Sequence, residues 1–107
     1  MAKGFLTYST AVILQAVANG YRYGFDIIDV TGMPGGTVYP ALRRLVDSGC
    51  LTSEWEMPSI SLSDPRPARK YYALTPSGRA ALAAEARRQK QTAAMAEKRL
   101  GVARSRS

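Results

Sequence analysis

A chain of 107 residues, 46% of them apolar, can bury one domain core but not two, and it is too apolar for a disordered polymer. It carries 15 Lys and Arg against 8 Asp and Glu, a net charge of +7, with no histidine and a single cysteine, Cys50. Without imidazole no Ser-His-Asp or Cys-His centre can be assembled, and one thiol makes neither a four-ligand zinc site nor an intramolecular disulfide. A lone cysteine fits a reducing compartment, so the expected location is the cytoplasm.

The charge is segregated. Residues 1–65 hold 4 basic and 6 acidic side chains, whereas residues 66–107 hold 11 basic and 2 acidic ones. Positive potential gathered on a few elements is the footprint of a polyanion binder, although a solvated helix with a charged tail has the same composition. Lys3 and the mostly apolar stretch after it resemble a leader segment ending near Ala16-Val17-Ala18. Thr7, Tyr8, Ser9 and Thr10 interrupt that stretch, and it reads better as a core helix. No run approaches the roughly 20 apolar residues of a membrane span, so a soluble protein with no membrane partner is expected.

The first helix is predicted over Phe5–Asn19, with Gly20 as its left-handed terminator. Its apolar residues form two stripes. Phe5, Tyr8, Val12 and Ala16 make one, and Leu6, Ile13 and Val17 make another about 120° away. One face serves the chain's own core, so the second implies a partner chain or deep burial. A second helix spans Tyr23–Val30 and ends at Gly32, and Gly32-Met33-Pro34-Gly35-Gly36 is a turn. Thr37 is predicted to cap a third helix running to Ser48, with Pro40 in its first turn and Gly49 as its stop. Val38, Leu42 and Leu45 then face the core, leaving Tyr39, Pro40, Arg43, Arg44 and Asp47 outside.

From Leu51 the period is two, with Leu51, Ser53, Trp55 and Met57 on one strand face and Trp55 expected to anchor against the last helix. Pro58–Ala68 is a loop, and Arg69–Leu74 is the returning strand, on which Tyr71 and Tyr72 point to opposite faces. Thr75-Pro76 is a second cap with a first-turn proline, opening a helix to Leu100 before Gly101. Leu82, Ala86, Gln89, Ala93, Ala96 and Leu100 form a small-residue heptad seam along it, suited to dimerisation. The chain thus divides into a domain over 1–75, a dimerisation helix over 76–101 and a basic, disordered tail over 102–107.

Three helices, a hairpin with a basic loop and a long helix give a mainly α fold with a small β-hairpin, a winged helix-turn-helix followed by a long C-terminal dimerisation helix. Two helices joined by a glycine-containing turn can cross steeply, so the second can lie in the major groove. Thr37, Arg43 and Arg44 then reach base edges or phosphates, and Arg66, Arg69 and Lys70 at the hairpin loop reach flanking backbone or the minor groove.

The run Tyr23-Gly24-Phe25-Asp26-Ile27-Ile28, then Gly36-Thr37-Val38-Tyr39-Pro40-Ala41-Leu42-Arg43-Arg44-Leu45, closely resembles the PadR family of bacterial transcriptional regulators. The likeness continues through Gly49-Cys50-Leu51, Trp55-Glu56, Arg69-Lys70-Tyr71-Tyr72-Ala73-Leu74-Thr75 and Gly78-Arg79, covering about residues 5–85. It implies a dimeric winged-helix DNA binder, usually a repressor relieved by a ligand. It also implies that Thr37, Tyr39, Pro40 and Arg43 are presented to DNA, with Tyr23 near the backbone. The short chain after Leu74 is similar to the subgroup with one C-terminal helix. No aromatic residue follows Tyr72, so the tryptophan with which some short members sandwich flat ligands has no counterpart.

The sequence-level expectation is therefore a homodimer, with Phe5, Tyr8 and Val12 and the seam from Leu82 to Leu100 at its interface. Its partner is double-stranded DNA carrying a pseudo-palindromic operator. No cofactor is implied. A small molecule or metal ion is the expected kind of effector, and Cys50 is a buried apolar residue or else a thiol sensor or soft-metal ligand. The alternative is a basic RNA-binding or ribosome-associated module, which needs aromatics on a broad sheet that this hairpin does not supply. An enzyme is not expected, because Asp26, Asp29, Glu54 and Glu56 form no recognisable constellation with tyrosine or lysine.

Overall fold

A computed structural model describes residues 6–56 and 68–105, with side chains as far as Arg99. Phe5, Arg66, Met57 and the loop Ser59–Pro67 lie outside the described residues, as does the side chain of Leu100. The chain folds as α1 (Tyr8–Ala18), α2 (Gly24–Thr31), α3 (Gly35–Asp47), β1 (Leu51–Trp55), β2 (Lys70–Leu74) and α4 (Pro76–Ser105).

Helix α1 begins later than Phe5, because Thr7 stops it. The Thr7 hydroxyl accepts from the Thr10 amide at 3.2 Å, filling one of the free donors of the first turn. Its inner face sends Ile13, Leu14, Ala16 and Val17 into the core. There they meet Ile27 of α2 and Val38, Ala41, Leu42 and Leu45 of α3. The i, i+4, i+7 spacing on α3 is what turns these apolar positions inward while Tyr39, Pro40, Arg43, Arg44 and Asp47 remain exposed. Gly20, Gly32 and Gly49 follow the three helices with φ of +105°, +73° and +85°, a region that side-chain-bearing residues rarely enter.

Strands β1 and β2 pair antiparallel, from Leu51 opposite Leu74 to Trp55 opposite Lys70. The Tyr72 amide donates to the Arg22 carbonyl at 2.9 Å, and a single antiparallel bridge joins Tyr23 to Tyr71, so the segment before α2 adds a rudimentary third strand. Leu51 and Tyr72 close the core from this side, and Tyr71 points away from it as the alternation requires. Trp55 departs from expectation. It is 66% exposed, because the hairpin runs beyond the core before reaching it, and its ring stacks under the Lys70 ammonium at 5.2 Å instead of against α4.

Thr75 caps α4 as its sequence suggests, its hydroxyl accepting from the Gly78 amide at 2.9 Å while donating to the Gly49 carbonyl at 2.6 Å. The helix continues through Gly101 to Ser105, so the segment expected as a disordered tail is helical at 102–105. A glycine inside a helix costs only about 1 kcal/mol, too little by itself to end one. At about 1.5 Å per residue, 30 helical residues span about 45 Å, which accounts for much of the 69 Å long dimension of the molecule. Beyond Arg88 every described side chain of α4 is exposed.

Between α1, the end of α2 and the first turns of α4 lies an open groove of about 460 Å³, walled by Tyr8, Val12, Tyr21, Val30 and Leu82. Tyr8 is 79% exposed and Val12 half-buried, so the outer part of the Tyr8–Val12–Ala16 stripe of α1 is not buried by the described residues. Ala16, from the same stripe, is buried in the core. At the groove floor Glu85 is 9% exposed and accepts from the Arg88 guanidinium at 2.7 Å and from Gln89 at 3.1 Å. The bond from Arg88 holds the Glu85 carboxyl below the ordinary carboxylate range, outweighing the opposing effect of burial.

Two outcomes are expected. A Cβ at Gly78 would run into the Cys50 carbonyl, whereas one at Gly36 would meet nothing. In denaturant titrations Gly78→Ala should therefore lose about 1–3 kcal/mol, and Gly36→Ala should gain up to about 1 kcal/mol. Because the folded state depresses the Glu85 carboxyl, its contribution is complete above pH 4.5 and fades as pH falls through the folded value. Glu85→Gln should therefore lower the melting temperature at neutral pH and erase its difference from the parent as the solution is acidified below that point.

Candidate nucleic-acid interface

The contact between α2 and α3 is built on small residues. A Cβ on Gly24 would meet the Tyr39 ring, and one on Gly35 would touch the same ring at 3.5 Å. Tyr39 thus fills the crossing and keeps 49% of its surface outside. The glycines that punctuate the sequence serve this contact as well as the turn. Helix α3 also starts earlier than expected. Pro34 occupies the cap position with extended backbone and no side-chain cap bond, and its carbonyl accepts from the Thr37 and Val38 amides at 2.9 and 3.0 Å. Thr37 is therefore a half-buried residue of the first turn instead of the cap, and Pro40 lies inside the helix. The proline is tolerated there because it sits on the exposed face, where the carbonyl left without its bond can be hydrated.

The two arginines of α3 diverge. Arg43 lines a cleft of about 340 Å³ together with Tyr39, Ser53, Lys70 and Tyr72, between α3 and the hairpin. Arg44 lines a second groove with Leu6, Thr7 and Thr10 of the α1 end, and Asp47 borders both. Burial raises the Tyr72 hydroxyl above its ordinary value of 10.0, with the neighbouring Tyr39 acting in the same direction. Arg43 and Lys70 thus bring positive charge to one cleft from two elements far apart in sequence, and Lys70 is held beside Trp55.

Tyr23 and Arg69 also come together, but on one another. Arg69 Nε donates to Glu56 at 3.2 Å, the Tyr23 hydroxyl donates to the other Glu56 oxygen at 2.6 Å, and the Arg69 guanidinium stands 4.1 Å from the Tyr23 ring centroid. Next to them Tyr71 meets Tyr23 edge-on at 6.3 Å and donates to Glu54 at 2.9 Å, a bond that raises the Tyr71 hydroxyl above its ordinary value. Sequence reasoning singled out Tyr23 and Arg69 separately and gave Glu56 no role. Nothing in the local pattern links positions so far apart, and only the hairpin register brings them together.

The remaining expected residues divide by place. Leu82 is half-buried at the groove, while Ala86, Gln89, Ala93 and Ala96 are exposed along one stripe of α4. Cys50 is buried in the core below the start of α4, and the described residues hold no group of three or more side chains able to bind a metal ion. No described helix is long and apolar enough to cross a membrane.

Comparison with known proteins agrees with this architecture. The model of the transcriptional regulator PadR-like family matches residues 13–84. A PadR-like transcription factor from Bacteroides fragilis is 27% identical, with a TM-score of 0.71 over 85% of this chain and 88% of that one. A PadR family transcription regulator from Clostridium difficile is 24% identical, with a TM-score of 0.66 over 89% of this chain and 96% of that one. BpsR of Bordetella bronchiseptica, whose DNA binding is regulated by 6-hydroxynicotinic acid, is 22% identical, with a TM-score of 0.65 over 91% of this chain and 69% of that one. No curated protein sequence matches. With the family model running from within α1 through α2, α3 and both strands to the start of α4, the chain belongs to the PadR-like family of transcriptional regulators and is a winged-helix regulator, not an enzyme.

Proposed function

We propose that the protein is a dimeric repressor that reads a pseudo-palindromic operator with α3 and is released by an effector. The observation that carries this reading is the outward face of α3, where Tyr39, Pro40, Arg43 and Arg44 are all exposed above a fully buried inner face. In the major groove Arg43 is the base-reading candidate, since a guanidinium can bond two guanine acceptors at once. Arg44, Thr37 and Lys70, together with Arg66 of the loop, serve as phosphate or flanking contacts, which set register and not sequence. Tyr39 and Pro40 supply apolar contact at the groove floor.

Dimerisation is supported by two surfaces that the described residues leave open. The Tyr8–Val12 groove is apolar and open, and the Ala86-Gln89-Ala93-Ala96 seam lies on a helix that projects from the domain. Small side chains let two such helices approach closely. Paired recognition helices would then enter successive major grooves about 34 Å apart. An effector acts by binding better to the spacing that does not fit DNA. Two related folds bear on its nature, the 6-hydroxynicotinic acid-regulated BpsR and a MarR from Staphylococcus aureus in complex with salicylate and kanamycin. An aromatic acid is therefore the first effector class to test.

Fluorescence anisotropy with DNA from upstream of the protein's own gene, against a scrambled duplex at about 150 mM salt, tests the reading. Roughly thousandfold preference is expected, and equal, weak binding to both would refute sequence-specific reading at that site. Arg43→Ala should cost about 1–3 kcal/mol on the operator and far less on the scrambled duplex. Sedimentation should give a dimer for the parent, and Ala93→Asp, which adds a charge to the seam, should yield monomers with weakened operator binding.

A further inference from the structure

The base of the wing contains a cluster that reading of the major groove does not use. The Glu56 carboxylate receives the Tyr23 hydroxyl at 2.6 Å on one oxygen and Arg69 Nε at 3.2 Å on the other, with the Arg69 guanidinium 4.1 Å from the Tyr23 ring centroid. Tyr23 caps α2, Glu56 follows β1 and Arg69 precedes β2, so one carboxylate joins three separate segments. Two backbone bonds cross the same junction, from the Glu56 amide to the Arg69 carbonyl at 2.6 Å and from the Tyr72 amide to the Arg22 carbonyl at 2.9 Å. An arginine whose charge is balanced by a carboxylate and whose plane lies on a tyrosine ring is poorly disposed to neutralise a DNA phosphate.

We propose that Glu56 is a specificity-determining positioning residue, which keeps Arg69 as the brace between the wing base and the start of α2 and withholds its guanidinium from DNA phosphate. The proposal rests on the DNA-binding reading above. Phosphate contacts are blind to sequence, so each extra cation that reaches the backbone raises affinity for every duplex alike and narrows the preference for the operator. The brace also fixes the angle at which the wing leaves the domain, and hence where Lys70 stands relative to Arg43.

The test has an arm without DNA and an arm with it. In the free protein, hydrogen exchange at the Glu56 and Tyr72 amides should quicken in Glu56→Gln, and less so in Tyr23→Phe, which keeps the ring and loses one donor. On the scrambled duplex, Glu56→Gln should steepen the dependence of log affinity on log salt by about 0.9, the value of one added phosphate contact, and reduce the ratio of operator to scrambled binding. Adding Arg69→Ala to Glu56→Gln should remove that gain. Glu54→Gln deletes the same charge two residues away, within β1, and should leave the slope near the parent's, which separates release of Arg69 from a general change in charge. The proposal is overturned if Arg69→Ala alone flattens the parental slope by about 0.9, because Arg69 then already contacts phosphate. It is equally overturned if Glu56→Gln exchanges and titrates like the parent. Should the parent fail to prefer the operator, the DNA reading fails, and unchanged exchange in Glu56→Gln still refutes the brace while faster exchange upholds it.

Discussion

The junction of Gly49, Cys50, Thr75 and Gly78 ties the end of α3 to the beginning of α4, and the geometry of the whole molecule follows from it. The Thr75 hydroxyl bonds both the Gly49 carbonyl and the Gly78 amide, and the Thr75 amide bonds the Cys50 carbonyl at 3.1 Å. Gly78 has no room for a side chain because the Cys50 backbone lies directly on the helix. With these bonds intact, a movement of α4 would be carried to the C-terminal end of α3. In the proposed dimer, α4 sets the symmetry axis and α3 reads DNA, so this joint converts the packing of two long helices into a spacing between two reading heads. That is the physical form a signal from an effector at the interface would take.

The cations of the protein divide into those that hold the structure and those left to act on a ligand. Arg88 is turned onto Glu85 and Arg69 onto Glu56 and Tyr23, each in a charge-assisted hydrogen bond. The Arg69 contacts are modest: a largely exposed ion pair such as Arg69–Glu56 contributes about 0.2–1 kcal/mol, and a cation over a tyrosine about 0.5–1 kcal/mol. They cannot hold a fold together, but they can decide which of two places a flexible side chain occupies. Net charge alone therefore overstates what this chain can offer to a polyanion. The cleft lined by Arg43 and Lys70 is more telling, because there cations of α3 and β2 share one cleft with no carboxylate bonded to either among the described residues, although Asp47 borders it.

Much of the architecture could be read from residues whose physical role is local. Val38, Leu42 and Leu45 carry the helical period and lie in the core, Gly20, Gly32 and Gly49 stand where the chain needs positive φ, and Thr75 caps the last helix. What escaped the sequence depends on distance. Gly35 and Gly36 look like a continued turn by propensity, yet they form the first turn of α3, which opens at Pro34, whose carbonyl accepts from the Thr37 and Val38 amides. Strand alternation assigned Trp55 to the same face as Leu51 correctly, but alternation has no information about where a core ends, and the hairpin outruns it. The Glu56 cluster was invisible because it requires the register of β1 on β2 and the bridge of Tyr23 to Tyr71 together.

The length of α4 exceeds what its packing within the chain can stabilise. Most helical stability in proteins comes from packing one apolar face, and propensity alone leaves an isolated helix marginal and prone to fray. Here only the first turns of α4 pack on α1 and β2, and past Arg88 the described side chains are exposed on all sides. Its composition rules out a large apolar stripe for a bulky partner, since the seam is alanine and glutamine with few larger side chains. A seam of that kind is buried efficiently only by another surface that can come equally close, which a copy of the same helix provides by symmetry. In the proposed dimer the Tyr8–Val12 groove beside its first turns would supply the bulk that the seam lacks, so that the two surfaces would complete one interface between them.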